Sequence, residues 1–222
     1  MNKITANFTN QLRDAIQIGE NTTFTIPSKT ISSVLICGLG GSGIGGKIID
    51  LFLLALNCQF QYFMKTIYLI RHAKSSWKQP FLMDLDRPLS KRGISDLDVM
   101  KSYFERKGWK PEFILSSPAK RAISTAQGLF AKLPFSLSDD LYFRGSESIV
   151  RRINKVEHSI DNLALVAHNP DVENLLSHVI KPVLEKVPTL FTARCYANVE
   201  NWEQIRLSNL ICEEWTSPKM LC

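Results

Sequence analysis

The sequence predicts an α/β fold in which a mostly parallel sheet carries helices on both faces. Three short runs of β-forming residues, 67–70, 113–115 and 163–167, alternate with stretches of helical periodicity. Such alternation is typical of parallel strands that are connected by helices. Each run also ends in polar residues. Because the carboxyl ends of parallel strands meet at one edge of a sheet, these polar residues are expected to share a ligand crevice.

Composition limits the classes of partner. The chain has 222 residues, 45% of them hydrophobic, which suits one domain or a small domain with an appendage. The net charge is +6, but the basic residues are scattered rather than gathered in the stripe of a nucleic-acid binder. The most apolar run, 51–56, is too short for a membrane span, and no secretory signal is evident. We therefore expect a cytoplasmic protein that binds neither nucleic acid nor membrane.

The first 63 residues differ from the rest. A predicted strand at 34–37 leads into a glycine-rich stretch, but no acidic residue follows about 20 positions later, which disfavours a dinucleotide site. Through 15–21 and 36–46, residues 1–50 resemble the start of the sugar-isomerase domain of bifunctional phosphoglucose/phosphomannose isomerases. The resemblance stops before a core could form. We predict a truncated fragment without an independent fold at 1–63 and the main domain at 64–222.

The first strand of the main domain ends in a polar pair. Residues 67–70 are followed directly by Arg71 and His72. Ser90 is a suitable N-cap for a helix that runs to about Lys107, because glycine and proline follow there.

The second strand, 113–115, leads into a Ser-Ser-Pro turn. Pro118 is expected in the first turn of the next helix, where its missing N–H costs no hydrogen bond. Arg121 follows on that helix, near its amino end.

The third strand ends in the second polar pair. Ser146 is the expected cap of the preceding helix, and residues 163–167 break into His168 and Asn169. A further helix runs to about Ile180. Two strand-like segments complete the chain, 192–199 and 210–212. Four tryptophans are expected to be packing residues: Trp77, Trp109, Trp202 and Trp215.

The polar residues at the three strand ends suit phosphoryl chemistry. The planar guanidinium of Arg71 matches a phosphate, and a neutral nitrogen of His72 can attack phosphorus. An isolated Arg-His pair is more often a surface arginine beside a packed histidine. The additional presence of Arg121 and His168 at the same predicted edge favours a phosphate pocket.

From Met64 to about Leu221 the chain resembles the histidine phosphatase superfamily, which includes the cofactor-dependent phosphoglycerate mutases. Within that superfamily it is most similar to the SixA-type phosphohistidine phosphatases. The resemblance rests on four motifs in the same order: Leu69 to Ser75, Asp86 to Gly93, Leu115 to Ala126, and Leu165 to Pro170. It implies a phosphoglycerate mutase-like fold.

The resemblance also implies roles for single residues. His72 matches the nucleophile that becomes phosphorylated, and Arg71, Arg121 and His168 match the surrounding phosphate pocket. Ser75 and Asn169 lie in the matching motifs and are assigned to phosphate binding. A carboxylate near the following helix is expected to donate a proton. Asp140 is the best-placed acid for this role, with Asp139 as the alternative. Arg87 is open to two interpretations, a substrate contact or a turn arginine paired with Asp84 or Asp86.

We therefore predict a metal-independent phosphatase that acts through a phosphohistidine intermediate and needs no cofactor. Only 18 residues separate Arg121 from Asp140, and 27 separate Asp140 from His168, which leaves no room for a large lid. An open pocket favours protein phosphohistidine as the substrate. Three alternatives remain: a phosphatase of small phosphoesters, a phosphate mutase, and a non-catalytic module that binds phosphoproteins.

Overall fold

The computed structural model describes Gln17 and residues 64–221. The chain divides into two units between Phe60 and Gln61, and every element below lies in the second unit. The sequence features predicted within residues 1–63, including the resemblance to a sugar isomerase, lie outside the described residues.

Six strands and five α-helices make up the described domain. The strands are β1 (Lys65–Arg71), β2 (Phe113–Ser116), β3 (Phe135–Leu137), β4 (Asn162–Ala167), β5 (Thr192–Ala197) and β6 (Ile211–Thr216). The helices are α1 (Lys91–Lys107), α2 (Lys120–Leu129), α3 (Ser146–Ile153), α4 (Asp171–Val179) and α5 (Pro218–Leu221). Single 3₁₀ turns occupy Asp84–Asp86, Asp139–Leu141 and Trp202–Gln204.

All six strands form one sheet in the order β3-β2-β4-β1-β5-β6. Strands β1 to β4 run parallel, and β5 pairs antiparallel with both β1 and β6. The prediction of a mostly parallel sheet is therefore confirmed.

Alternating side chains of β1 divide the core between the two faces of the sheet. Ile67 and Leu69 join a cluster with residues of α3 and α4, whereas Tyr68 and Ile70 join a second cluster with residues of α1 and α2. This is the period of two that a strand buried on both faces requires. Helices therefore cover both faces of the sheet, as predicted.

The register of the parallel strands aligns their carboxyl ends. Arg71 of β1 pairs with Ala167 of β4, and Ser116 of β2 pairs with Val166. The residues that follow these strands therefore emerge at one edge of the sheet.

Several local predictions were confirmed or corrected. Ser90 caps α1 as predicted, because its hydroxyl accepts a hydrogen bond from the Gly93 N–H at 3.0 Å. Pro118 instead precedes α2, whose N-cap is Ala119. Ser146 is the first residue of α3 and not its cap; the cap is Gly145, whose positive φ of 87° suits glycine.

Other differences concern β3 and Trp77. Strand β3 was not predicted because its three residues are exposed or half-buried at the edge of the sheet and give no buried apolar run. Trp77 does not pack in the interior: 70% of its surface is exposed, and the Arg87 guanidinium lies 3.9 Å from its ring centre.

Candidate active site

His72 lies immediately after β1 and is held in one tautomer. Its main-chain N–H donates to the Ala167 carbonyl at 3.0 Å, so the end of β4 positions it directly. The ring Nδ1 lies 2.7 Å from the Ala73 carbonyl. Because a carbonyl can only accept, Nδ1 carries the hydrogen and Nε2 keeps its lone pair. The side chain is 8% exposed, so a buried but reachable nitrogen faces the site.

Arg121 projects from the first turn of α2 toward His72. Its Nε–H lies 3.3 Å from His72 Nε2. Its two terminal nitrogens donate to Asp84, Nη1 to the main-chain carbonyl at 2.5 Å and Nη2 to the carboxylate Oδ2 at 2.8 Å. Three contacts thus fix the guanidinium beside Nε2 of His72.

Thr125 ties this arginine helix to the segment that carries His72. Its buried hydroxyl donates to the Arg121 carbonyl at 2.7 Å and accepts from the Ala73 N–H at 3.0 Å. One side chain therefore links the residue after the candidate nucleophile to α2.

His168 follows β4 and lies beside His72, with ring centres 4.8 Å apart. Its Nε2 is 2.7 Å from the Ser117 hydroxyl, and that residue follows β2. Its Nδ1 is buried and has no hydrogen-bond partner. Because Ser117 can donate to Nε2, His168 can present an Nδ1–H to a phosphoryl oxygen.

Arg71 and Asn169 meet at the loop that precedes β5. Both donate to the Val187 carbonyl, Arg71 Nη1 at 2.5 Å and Asn169 Nδ2 at 3.2 Å. Two of their atoms are buried without a partner, Arg71 Nε and Asn169 Oδ1. Buried polar atoms are rarely left unpaired, so these atoms indicate a place for a polar ligand.

Asp84 is the functional residue that sequence reasoning missed. It accepts the Arg121 contacts above and a 2.6 Å hydrogen bond from the Tyr142 hydroxyl. The predicted pairing of Arg87 with this carboxylate is also present, at 3.6 Å. No sequence pattern indicates the contact with Arg121, because the two residues lie 37 positions apart and only the folded chain joins them.

An open cavity of about 440 Å³ is lined by five of these residues, Arg71, His72, Asp84, Arg121 and Asn169, whereas His168 lies beside His72 and is not part of the wall. Ser75, predicted for phosphate binding, lines it together with Arg71, His72, Arg121 and Asn169. The other lining residues are Lys74, Trp77, Asp84, Arg92, Phe143, Lys186, Pro188, Thr189 and Lys219. The wall therefore holds six arginines and lysines against one carboxylate, which suits an anion.

Asp140 and Asp139, the predicted proton donors, do not line this cavity. Both side chains are exposed, and Asp140 Oδ1 lies 3.4 Å from the Ser148 hydroxyl of α3. The same turn brings Tyr142 and Phe143 to the site instead, with ring centres 5.3 and 5.1 Å from that of His168.

Burial and positive charge keep both histidines neutral. Burial lowers the pKa of His72 to about 4, assisted by Arg121 and Arg71 and opposed by the Ala73 carbonyl. Burial, then His72 and Arg121, lowers the pKa of His168 to about 2. Burial alone would raise the pKa of Asp84, but hydrogen bonds from Tyr142 and Arg121 hold it below its usual value. At neutral pH the site therefore combines neutral imidazoles, fixed guanidiniums and an ionised carboxylate.

No group of three or more His, Cys, Asp or Glu in residues 64–221 could hold a metal ion. No helix in this part of the chain is long and apolar enough to cross a membrane.

Residues 67–142 match the histidine phosphatase superfamily (branch 1). An uncharacterised chloroplastic protein of Arabidopsis thaliana is 31% identical over 113 residues, 50% of this chain. The match spans about half, 52%, of that relative's length. The resemblance of residues 1–50 to a sugar isomerase gains no support from these matches.

Solved structures match over more of the chain. A protein assigned as the phosphohistidine phosphatase SixA of Agrobacterium tumefaciens superimposes with a TM-score of 0.59 and 25% identity, over 69% of this chain and 98% of its own. A protein histidine phosphatase SixA in complex with tungstate superimposes with a TM-score of 0.57 and 18% identity, over 71% of this chain and 99% of its own. The second likeness concerns the fold alone. Residues 67–142 thus resemble the histidine phosphatase superfamily in sequence, and the fold that surrounds them resembles that of SixA.

Proposed function

We propose that this chain is a phosphatase that transfers a phosphoryl group first to Nε2 of His72 and then to water. One observation carries the proposal: His72 presents an unprotonated, buried Nε2 between Arg121 and His168. The fold and the histidine phosphatase domain support phosphatase activity in general. Beyond this general activity, we propose the residue roles, the substrate and the independence of a metal.

In the first step the Nε2 lone pair of His72 attacks phosphorus and forms a P–N bond. The bond from phosphorus to the leaving group breaks, and its electron pair stays on that group. A phosphoryl group carries about −1.5 to −2 charge at neutral pH. Arg71, Arg121 and the Nδ1–H of His168 offset this charge and donate to the oxygens as it spreads in the transition state.

In the second step water attacks the phosphorylated His72. The P–Nε2 bond breaks and its electron pair returns to Nε2. The oxygen and both protons of the water leave as dihydrogen phosphate, so the neutral imidazole is restored. The hydrogen bond from Nδ1–H to Ala73 persists through both steps and holds the ring in one orientation.

The substrate we propose is phosphohistidine on a protein. Its leaving group is an imidazole, which departs readily once it is protonated, so a strong acid in the cavity is less necessary. This fits the cavity wall, whose one carboxylate, Asp84, is held ionised. The role of Asp140 as a proton donor stays a prediction, as do the cytoplasmic location and the lack of a cofactor.

The test is phosphate release from a phosphohistidine-bearing protein with EDTA present. The parent chain should release phosphate, and His72→Ala should not. The matched control is His178→Ala, because His178 is an exposed histidine outside the cavity. Rapid quenching should trap an alkali-stable, acid-labile phosphoryl group on the parent and on the control.

Three results would contradict parts of the proposal. Turnover by His72→Ala would remove the covalent step. Loss of activity in EDTA would remove metal independence. Hydrolysis of 4-nitrophenyl phosphate without hydrolysis of phosphohistidine would assign the site to small phosphoesters.

A further inference from the structure

Four large apolar side chains are exposed in the loop between β1 and α1, and three of them, Trp77, Phe81 and Met83, are far more exposed than the fourth, Leu85. Phe81 is 99% exposed, and Trp77 and Met83 are each 70% exposed. We call these three residues the apolar tip. Large apolar side chains that cluster in one exposed segment are a common mark of a binding surface.

The apolar tip is fixed beside the candidate active site. Trp77 lines the catalytic cavity and stacks on Arg87. At the other end of the tip, Met83 precedes Asp84, which holds Arg121. Phe81 and Met83 also line an open groove of about 550 Å³. A molecule that fills the cavity from outside would therefore meet the tip.

Lysines from three separate segments surround the same cavity. Lys74 follows His72, Lys186 precedes β5, and Lys219 lies on α5; all three are exposed and line the cavity. None of them has a side-chain hydrogen bond or an ion pair among the described residues. We call these residues the lysine rim. Unpaired charge of one sign favours a partner of the opposite sign and speeds its approach.

We propose that the apolar tip and the lysine rim form the docking surface for the protein that carries the phosphoryl group. The partner is an acidic protein surface on which apolar side chains lie next to the phosphorylated histidine. The inference rests on the proposed function and adds to it the surroundings of the substrate residue. A protein fits these features because one occupant must satisfy the phosphate pocket, the lysines and the tip together.

The experiment compares phosphohistidine peptides with the minimal substrate phosphoramidate. Two helical peptides carry one central phosphohistidine and the same leucines, and differ only in flanking glutamates or lysines. On the parent chain, kcat/KM for the glutamate peptide should exceed that for the lysine peptide at least about tenfold. The preference should shrink between 0.05 and 0.5 M salt, because mobile ions screen the rim.

Two variants with matched controls separate the parts of the surface. Lys74→Glu/Lys186→Glu/Lys219→Glu reverses the rim, and its control reverses exposed lysines outside the cavity, Lys110, Lys132 and Lys155, with the same change of net charge. Phe81→Ser/Met83→Ser removes part of the tip. Its control is Leu137→Ser/Ile211→Ser, at exposed positions on the two edge strands.

Each surface variant should lose at least about tenfold more kcat/KM on the glutamate peptide than on phosphoramidate, and its control should not. Equal losses on the two substrates would overturn the docking surface and leave the phosphatase intact. No hydrolysis of any substrate by the folded parent would instead defeat the proposed function. Binding of the parent to vesicles of phosphatidylcholine and phosphatidylserine, lost in the tip variant, would assign the surface to a membrane. Self-association lost in the tip variant would assign it to a second copy.

Discussion

The domain has two polar clefts that are lined by similar residues. They differ in whether the polar side chains of the cleft have partners within the protein. The candidate active site lies at the carboxyl ends of the parallel strands. A second cleft, which we call the paired cleft, opens beside the first residue of β4 and the end of α1. Its lining residues are Tyr68, Arg106, Lys107, Gly108, Trp109, Lys110, Asn162, Arg194, Glu213 and Glu214. At about 600 Å³ it is larger than the active-site cavity of about 440 Å³.

Both carboxylates of the paired cleft are paired with a basic side chain. Lys107 lies 2.7 Å from Glu214, Arg194 contacts Glu213, and the Tyr103 hydroxyl donates to Glu214 at 2.5 Å. In the active site, by contrast, buried atoms of Arg71, His168 and Asn169 lack partners.

This contrast shows that volume and basic residues do not identify a functional site. Leaving a buried polar atom unpaired costs about 1–3 kcal/mol, so a fold keeps such atoms where a ligand will pair them. Of these two clefts, the smaller one carries that cost.

The largest difference between the clefts should appear when one arginine is removed from each. Arg121→Met should lower kcat/KM for phosphohistidine by about 10²- to 10³-fold, because a donor to the transition state is lost. Arg194→Met should leave kcat/KM within about twofold and lower the free energy of unfolding by no more than about 1 kcal/mol. Steady-state kinetics and urea unfolding of both variants measure this. Similar kinetic losses in both would erase the distinction between the clefts.

A second difference should appear in the pH dependence of stability. His72 has a pKa of about 4 in the fold and an ordinary value of 6.5 when unfolded. Between these values the unfolded chain binds a proton that the folded chain does not, so stability falls as pH falls. From pH 7 to pH 5 the loss from His72 is about 2 kcal/mol. In His72→Gln the loss of stability between pH 7 and pH 5 should be smaller by that amount than in the parent chain. In Glu214→Gln, in the paired cleft, the loss should equal that of the parent.

Urea unfolding in phosphate-free buffers provides the measurement. A stability that does not change between pH 7 and pH 5 would show that His72 is not held neutral by burial.

A smaller effect is expected from the carboxylate that orients Arg121. Asp84→Asn should lower kcat/KM about tenfold, because the neutral amide holds the guanidinium less firmly. The matched variant is Asp140→Asn, which alters an exposed acid that does not line the cavity. Steady-state kinetics of both variants show which of the two carboxylates the reaction needs. A larger loss in Asp140→Asn would establish the proton donor that the sequence predicts, and a gain in Asp84→Asn would mean that Asp84 competes with substrate.

The smallest expected effect is a change in the pKa of Tyr103, which contacts Glu214 of the paired cleft. Burial, assisted by Glu214, raises the pKa of Tyr103 to about 12. Glu214→Gln should lower the pKa of Tyr103, because the neighbouring negative charge is gone, while kcat/KM stays within about twofold. Ultraviolet titration of the tyrosines detects the shift. An unchanged tyrosine titration would mean that burial alone raises this pKa.

The sequence predicted the parts of the molecule that depend on local patterns. The apolar runs at 67–70, 113–115 and 163–167 lie in strands, and the polar residues that follow them meet at one edge. The site needed more than these patterns. Asp84 reaches Arg121 across 37 residues, a distance that no periodicity encodes. Asp140 was chosen by its position along the chain, whereas the direction of its side chain depends on the turn at Asp139–Leu141.

The two hydrogen bonds of the Thr125 hydroxyl limit which residues can replace it during evolution. It serves the Ala73 N–H and the Arg121 carbonyl at once, and a valine of the same shape could serve neither. Among residues of similar size, only serine could replace it. Position 125 should therefore vary as little among homologues as position 72, although Thr125 never touches a substrate. A comparison of many homologues should rank the two positions together, and only measurements of activity would separate the proposed nucleophile from the residue that aligns it.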